Sequence, residues 1–329
     1  MPNKTKDESI KVLFIGGYGR SGSTLIESIL GRVDGFVVTG EIRHIFGRIV
    51  NDRELCNCGS EVYDCSYWND ILETAFPGGY NREKIDKAIR AVNKISSVPQ
   101  VLYPSMRMPS MDEHITTYRK TFYSLYKAIS KITGAKIVVD PSKYPLHGLV
   151  LSSPESEVDF STMLLIRDPR AVANSWEHPK IRPEIQWEKR MMPKHNVVRS
   201  AFAWNLSNDL TKLIQKRGGN LRVQRYEDFT FDPLKEASEI ASLMLEKNVT
   251  LTADIFQAKS KVQRHRLAGN PSSFGQKKIE IKTDEKWKKQ MSTTKQLVVS
   301  LLCSPQMRKY GYANTGKAQY SYSSDFLTK

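Results

Sequence analysis

Short apolar runs alternate along the chain with longer segments in which apolar residues recur every three or four positions. The runs that have the length and composition of buried strands lie at residues 11–17, 36–39, 136–140, 162–166 and 221–226. Helical periodicity is found at residues 22–30, 82–95, 111–133, 170–176 and 197–216. Because strands that alternate with helices form parallel sheets covered on both faces, we predict an α/β fold with a doubly wound, mainly parallel sheet flanked by helices.

The chain carries no sign of division into separate domains. No linker rich in glycine, serine or proline and no internal repeat interrupts the 329 residues. Residues 51–79 are rich in helix breakers and are predicted to be irregular, and two helical segments follow them. We therefore predict a single domain over residues 1–329, with an insertion at about residues 51–134.

A glycine-rich loop, GGYGRSGST, lies at residues 16–24 between the first predicted strand and the first predicted helix. Glycines allow a tight turn, and the backbone N–H groups at the start of the helix then converge on an anion. Aligned to the nucleotide-binding loop G-x-x-x-x-G-K-[ST], the loop has Ser23 where a phosphate-binding lysine is usual, and its nearest cation is Arg20. The loop therefore favours an anionic group of lower charge than a triphosphate with Mg²⁺.

Charged or polar residues also lie at or just after the ends of the other four predicted strands. They are Glu41 after the second strand, Lys143 after the third, Arg167 after the fourth and Tyr226 at the end of the fifth. In a parallel sheet the carboxyl ends of the strands meet at one edge, where ligands bind. We expect these side chains and the glycine-rich loop to form one site.

The charge of the chain is strongly positive. Its 50 Lys and Arg exceed its 35 Asp and Glu, which gives a formal charge of +15 and favours anionic ligands or partners. No known nucleic-acid motif accompanies this charge, and solvated helix faces account for it equally well. We therefore expect no nucleic-acid partner. The overall composition is ordinary for a globular protein, with 40% hydrophobic and 26% charged residues.

Neither a secretory signal nor an apolar window long enough to span a bilayer is recognisable, so we expect a cytoplasmic protein without stable membrane insertion. Three of its four cysteines lie close together, at Cys56, Cys58 and Cys65, and the fourth is Cys303. The cluster lacks a pair of C-x-x-C knuckles and a recognisable fourth ligand. We expect free thiols and no metal, with zinc and a disulfide as the alternatives.

Three motifs in their order along the chain resemble those of the sulfotransferases that use 3′-phosphoadenosine 5′-phosphosulfate. They are GYGRSGST at residues 17–24, LLIRDPRAVANSW at residues 164–176 and HRLAGNPSSF at residues 265–274. DEKW at residues 284–287 and YGY at residues 310–312 extend the resemblance nearly to the end. The similarity is to the bacterial, carbohydrate and tyrosylprotein branch, and it implies a fold like that of the P-loop NTPases.

The resemblance implies a binding site for this sulfate donor, with 3′-phosphoadenosine 5′-phosphate as the product and no required metal. The residues of the first loop would bind the 5′-phosphosulfate; they are Gly19, Arg20, Ser21, Gly22, Ser23 and Thr24. Arg167 and Ser175 match the 3′-phosphate site, and arginine suits bidentate contact with phosphate oxygens. Further nucleotide contacts are implied for Tyr226, Arg266, Gly269 and Asn270.

The element Thr39–Gly40–Glu41 resembles one in which glutamate is the catalytic base, so Glu41 is expected to accept the acceptor's proton. His44 is the alternative base, and Arg43 is expected to orient Glu41 or the acceptor. Lys143 and Arg20 would stabilise the leaving bisphosphate. Since an ordinary carboxylate is a weak base, we expect burial or hydrogen bonding to raise the pKa of Glu41.

The expected acceptor is a small molecule, carbohydrate or lipid that offers a hydroxyl, with an amine as the alternative. The resemblance places the insertion on the substrate side, and we expect the helices of residues 82–133 to complete the acceptor pocket. A homodimer is left open. Two other functions also stay open, namely a P-loop kinase or NTPase and a non-catalytic module that binds polyanions.

Overall fold

A computed structural model describes residues 10–50, 53–153, 158–217, 219–257, 265–267, 281 and 283–313. Five parallel strands form one sheet in the order β2-β3-β1-β4-β5. The strands are β1 Lys11–Gly16, β2 Phe36–Val38, β3 Ile137–Lys143, β4 Asp159–Ile166 and β5 Asn220–Arg225. Because β1 lies at the centre of the sheet, the loop that follows it opens at the middle of the carboxyl edge.

Helices cover both faces of the sheet. The larger ones are α1 Ser23–Leu30, α2 Ser66–Ala75, α3 Arg82–Val92, α4 Val98–Leu102, α5 Pro109–Thr133, α6 Pro145–Leu151, α7 Pro169–Glu177, α8 Val197–Lys216, α9 Tyr226–Phe231, α10 Pro233–Leu245, α11 Trp287–Gln290, α12 Thr293–Leu302 and α13 Ser304–Lys309. Single 3₁₀ turns occupy Ile42–His44, Ile95–Ser97, Pro104–Met106 and Ala253–Phe256, and a π-helical segment occupies Ile45–Val50. The predicted α/β fold with a parallel, doubly wound sheet is confirmed.

Alternation along β1 divides the core into two layers. Val12 and Phe14 point to the face covered by α2, α5 and α6, whereas Leu13 and Ile15 point to the face covered by α1, α9 and α10. All four side chains are fully buried. This is the pattern expected of a central parallel strand, whose two faces are both covered and which therefore reads as one continuous apolar run.

Residues predicted to form the insertion pack into the main core. Tyr118, Phe122 and Leu125 of α5 belong to the same buried cluster as Val12 and Val138 of the sheet. The expectation that residues 51–79 are irregular is wrong in part, because α2 lies within them. Its buried Trp68, Ile71 and Leu72 recur at helical spacing among the breakers that obscured the pattern.

Strand β3 continues through Pro141, where the sequence predicted that it would stop. Its register with β1 shifts between Phe14 and Gly16, so the strand is irregular where the proline lies. A proline lacks the N–H of a regular ladder and is tolerated at such irregularities. The other predicted strands and helices agree with the structure to within a few residues, and α8 begins and ends at the predicted residues, whereas α10 and α12 were not predicted.

Candidate active site

A cleft of about 740 Å³ opens at the carboxyl edge of the sheet. It is bordered by the glycine-rich loop, by the residues that follow β2, β3 and β4, and by the segment after α7. The lining residues are Gly19, Arg20, Gly22, Ser23, Thr24, Leu25, Ser28, Glu41, His44, Lys143, Arg167, Asn174, Ser175, Trp176, His178, Lys180, Arg182, Met192, Pro193, Tyr226, Asp284, Lys286 and Gln290. The rule that strand ends converge therefore brings most of the predicted site residues together.

The glycine-rich loop turns sharply into α1 at Gly22. This residue has φ +95° and directly precedes the first turn of the helix, whose residues Ser23, Thr24 and Leu25 line the cleft. A Cβ atom here would lie 2.3 Å from the ring of Tyr226, so the position needs glycine for both conformation and space. The close approach fixes Tyr226 beside the start of α1.

Arg20 lies in the loop with φ +71°, a left-handed backbone conformation that is uncommon for residues other than glycine. Its guanidinium lies 5.0 Å from the ring centroid of Trp176, and its Nη2 is 2.7 Å from Met192 Sδ. Its buried Nε has no hydrogen-bond partner among the described residues. An arginine that lacks a carboxylate partner in a buried loop is suited to bind an anion.

Lys143 and Glu41 form an ion pair at the centre of the cleft. Lys143 Nζ donates to Glu41 Oε1 at 2.6 Å and lies 3.2 Å from Ser23 Oγ. His44 Nε2 lies 3.3 Å from the other carboxylate oxygen of Glu41. Both members of the ion pair are largely buried. Lys143 thus supplies from β3 the cation that the loop itself lacks at Ser23.

The pKa of Glu41 differs from the expectation. Burial alone would raise it, but the opposing charge of Lys143 and the hydrogen bond and charge of His44 outweigh burial and hold the pKa well below its usual value. The prediction of a raised pKa is therefore wrong for this arrangement of side chains. The sequence does not show that Lys143, 102 residues away, contacts Glu41, and it is this opposite charge that lowers the pKa.

A buried polar network beneath Lys143 was not predicted from the sequence. Asp140 accepts hydrogen bonds from the backbone and hydroxyl of Ser142, from Tyr126 at 2.5 Å and from His147 at 2.8 Å. Burial opposes ionisation of Asp140, but the charge and hydrogen bond of His147 lower its pKa. Since Lys143 itself has φ +63°, the network holds a strained turn that points the lysine at Glu41.

Arg167 follows β4 and borders the other end of the cleft. Its guanidinium stacks over Tyr226 at 4.6 Å, donates to the carbonyl of Arg20 at 3.1 Å and pairs with the Asp284 carboxylate at 3.2 Å. Ser175 of α7 lines the same cleft. The side chain of Asp168 caps α7 by accepting from the backbone of Arg170 at 2.8 Å, and this cap fixes the helix that carries Ser175.

Other predicted site residues lie outside the cleft lining. Ser21 donates to the carbonyl of Tyr18 at 2.7 Å and stabilises the loop. The guanidinium of Arg43 stacks over Tyr144, 4.4 Å from its ring centroid, and contacts His44 at 3.1 Å. Arg266 donates to Ser28 at 3.0 Å and lies 3.4 Å from Glu27.

Gly269 and Asn270 lie outside the described residues. The roles proposed for these two residues, and for Ser21, Arg43 and Arg266, therefore stay predictions.

Among the described residues that line the cleft, none comes from residues 53–134, and residues 174–193 contribute instead. The role of the helices of residues 82–133 in the acceptor pocket stays a prediction. Helices α3 and α5 pack into the core. The new lining residues include His178, Lys180 and Arg182. Residues 177–196 carry no regular hydrophobic pattern. The sequence therefore did not predict that they lie next to the strand ends and line the cleft.

Comparisons with known proteins bear on the fold. No protein-family model matches the chain, and no curated protein sequence matches it significantly. The solved sulfotransferase domain of the olefin synthase from Synechococcus PCC 7002 is similar over 93% of this chain and 98% of that domain, with a TM-score of 0.50 and 16% identity. Sulfotransferase STF9 from Mycobacterium avium aligns over 92% of this chain and 77% of its own, with a TM-score of 0.44 and 11% identity. The chain has the fold of a sulfotransferase domain.

Proposed function

We propose that the protein is a sulfotransferase that uses 3′-phosphoadenosine 5′-phosphosulfate and sulfates a hydroxyl of a carbohydrate, lipid or other small molecule. The observation that carries the proposal is the ion pair of Glu41 and Lys143 beside the glycine-rich loop, in the same cleft as Arg167 and Ser175. A proton acceptor, a cation and two separate anion sites are what this donor requires.

The residues present fit the donor. The start of α1, the hydroxyls of Ser23 and Thr24 and the unpartnered Nε of Arg20 suit the 5′-phosphosulfate. Arg167 and Ser175 suit the 3′-phosphate, which ATP lacks. When bound, the donor supplies a sulfuryl group whose S–O bond to the 5′-phosphate breaks as a new S–O bond forms to the acceptor oxygen. The leaving group departs as an anionic bisphosphate.

Glu41 takes the proton of the acceptor hydroxyl through its second carboxylate oxygen, which lies 3.3 Å from the ionisable His44. Lys143 and Arg20 neutralise the negative charge that develops on the leaving phosphate. Lys143 lies between Glu41 and Ser23, so a small movement brings it from the carboxylate to the loop. That movement also removes the charge that depresses the pKa of Glu41, and burial then makes the carboxylate a stronger base.

The acceptor approaches from the side formed by residues 174–193. His178, Lys180 and Arg182 supply hydrogen-bond donors on this side, which suits an acceptor with hydroxyl groups. Lys180 adds positive charge that would attract acidic groups, whereas the charge of Arg182 is paired with Glu54 and Glu184. In the part of the chain that the structure describes, no helix is long and apolar enough to cross a bilayer.

Transfer of labelled sulfate from the donor into a panel of carbohydrate, glycolipid and small phenolic acceptors tests the proposal. Glu41→Gln should lower kcat by about 10²- to 10⁴-fold while the affinity for 3′-phosphoadenosine 5′-phosphate stays within about threefold. A matched control is Glu236→Gln, since Glu236 is also largely buried and paired, with Arg222, but does not line the cleft. Full activity of Glu41→Gln would exclude Glu41 as the base.

Titration with 3′-phosphoadenosine 5′-phosphate and with Mg·ATP separates this function from its alternatives. A kinase or NTPase predicts tight binding of Mg·ATP and none of the bisphosphate. A non-catalytic polyanion-binding module, suggested by the charge of +15, predicts salt-sensitive binding of heparin and no sulfate transfer. Either result would overturn the proposal.

A further inference from the structure

Four side chains that the reaction does not use converge outside the cleft. The sulfur atoms of Cys56, Cys58 and Cys65 and the Nδ1 of His265 all lie within 4.8 Å of one another. The cysteines come from the loop before α2, and His265 comes from a segment about 200 residues later in the chain. No disulfide joins any of the four cysteines of the chain, all of which are described.

The distances within this cluster are those of a tetrahedral metal site. Cys58 Sγ and Cys65 Sγ are 3.7 Å apart, and Cys65 Sγ and Cys56 Sγ are 3.9 Å apart. His265 Nδ1 lies 3.2 Å from Cys65 Sγ and 3.9 Å from Cys56 Sγ. Zinc bonds of about 2.3 Å to sulfur and about 2.0 Å to nitrogen, at tetrahedral angles, require S···S separations of about 3.8 Å and S···N separations of about 3.6 Å.

We propose that Cys56, Cys58, Cys65 and His265 bind one structural Zn²⁺ ion. Soft thiolates with one imidazole select zinc over magnesium, calcium or manganese. Four protein ligands close the coordination sphere, which is the mark of a structural rather than a catalytic zinc. Binding forms three Zn–S bonds and one Zn–N bond, and the three thiols release their protons to solvent, so no oxidant or reductant is needed.

The surroundings of the cluster hold its ligands in place. Gly59 has φ +95° and donates to the carbonyl of Cys56 at 2.8 Å, which closes a tight turn around Cys58. The ring of Tyr67 stacks on the imidazole of His265, with centroids 4.9 Å apart. Trp68 Nε1 donates to the carbonyl of His265 at 2.6 Å. Such orientation of a histidine ligand raises metal affinity.

The zinc ion would link the cysteine loop to residues 265–267, which are hydrogen-bonded to the backbone of Glu41. Leu267, two residues after His265, pairs with Gly40: its N–H donates to the carbonyl of Thr39 at 2.9 Å, and its carbonyl accepts from Glu41 N–H at 2.8 Å. This metal site does not depend on the proposed reaction. It does predict that loss of zinc loosens the backbone of Glu41.

The direct test is the metal content of the full-length protein purified without chelator or affinity metal. We expect one zinc ion per chain by inductively coupled plasma mass spectrometry. Replacement by Co²⁺ should give thiolate-to-cobalt charge-transfer bands and the intense visible bands of tetrahedral coordination. A metal-free protein that also fails to bind zinc from a chromogenic chelator would overturn the proposal, as would an intramolecular disulfide among the three cysteines.

Two variants and a control keep the test independent of folding. Cys58→Ser changes an exposed ligand, and His265→Gln removes the distant one; each should weaken zinc binding on the order of 100-fold and alter the cobalt spectrum. Cys303→Ser makes the same chemical change at a buried thiol outside the cluster, and it should keep the zinc. Zinc retained equally in all three would refute the ligand assignment. Unchanged hydrogen exchange at Glu41 and Leu267 in zinc-free protein would refute the link to the active site.

Discussion

Replacement of Arg167 by alanine should weaken binding of 3′-phosphoadenosine 5′-phosphate far more than binding of adenosine 5′-phosphate. The proposed role of Arg167 is to bind the 3′-phosphate, which only the first ligand carries. The guanidinium is buried, and stacking on Tyr226 fixes its plane. Loss of the side chain therefore removes a preorganised donor pair rather than a mobile surface charge.

The magnitude follows from the contacts that the arginine exchanges. Two charge-assisted hydrogen bonds to a phosphate contribute about 1.5 to 3 kcal/mol each. The arginine must give up its pair with Asp284, but 43% of that side chain is exposed, and such a pair contributes up to about 1 kcal/mol. A net loss of about 2 to 6 kcal/mol corresponds to a decrease in affinity of about 30- to 20,000-fold.

Isothermal titration calorimetry with both ligands, on the wild type and on Arg167→Ala and Arg167→Lys, measures this difference. Arg167→Lys keeps the charge but cannot form bidentate hydrogen bonds. Its affinity for the bisphosphate should therefore lie between those of the wild type and Arg167→Ala. Thermal unfolding checks that the variants are folded. A loss below about threefold for the bisphosphate, or an equal loss for the monophosphate, would show that Arg167 does not bind the 3′-phosphate.

Three further outcomes follow from the same structure. Asp284→Asn removes the carboxylate that pairs with Arg167, so the affinity for the bisphosphate should rise several-fold in calorimetry; a decrease would mean that Asp284 orients the arginine instead. Burial raises the pKa of Glu27 from 4.5, its value in the unfolded chain, to about 7. The protonated group therefore stabilises the fold fully at pH values below 4.5, and this contribution is lost as the pH rises through about 7. In urea unfolding, the free energy of unfolding of Glu27→Gln should therefore rise relative to that of the wild type by on the order of 3 kcal/mol between pH 5 and pH 8. A difference that stays constant over this range would contradict the raised pKa. Gly40→Ala would place a Cβ 2.2 Å from the carbonyl of Leu267, so kcat should fall at least tenfold with bisphosphate affinity retained, whereas an unchanged kcat would show that the pairing of Gly40 with Leu267 does not position Glu41.

The strand ends could be read from the sequence because a parallel sheet brings them together whatever lies between. Each apolar run was followed by a candidate site residue within a few positions, so local patterns located Arg20, Glu41, Lys143 and Arg167 in one cleft. The strand order was not predictable from these runs, since crossover connections of many lengths satisfy the same pattern. It is the order that makes β1 central and puts Lys143 beside Ser23.

Properties that depend on contacts with residues from distant segments could not be predicted from the sequence. The pKa of Glu41 was expected to rise, because burial was foreseen and the approach of Lys143 was not. The cysteine cluster lacked a fourth ligand for the same reason, since His265 comes from a distant segment that the pairing of Leu267 with Gly40 helps to hold beside it. The apolar stripes of α3 and α5 did not show what these helices pack against, and the structure places them in the core. Their part in the acceptor pocket stays a prediction.

Glu41 is the residue at which these separate determinants meet. Its carboxylate is held by Lys143 and His44, and its backbone N–H is held by the segment that the proposed zinc ion fastens. A change at Lys143 alters the charge around Glu41, the proposed base, and hence its pKa, while a change at Cys58 should alter only the position of the Glu41 backbone. The two should therefore separate in a pH profile: the first shifts the acidic limb of kcat/KM to higher pH, because the depressed pKa of Glu41 rises. The second lowers kcat with the limb unmoved, and a shifted limb in Cys58→Ser would mean that the metal loop also sets the charge at the base.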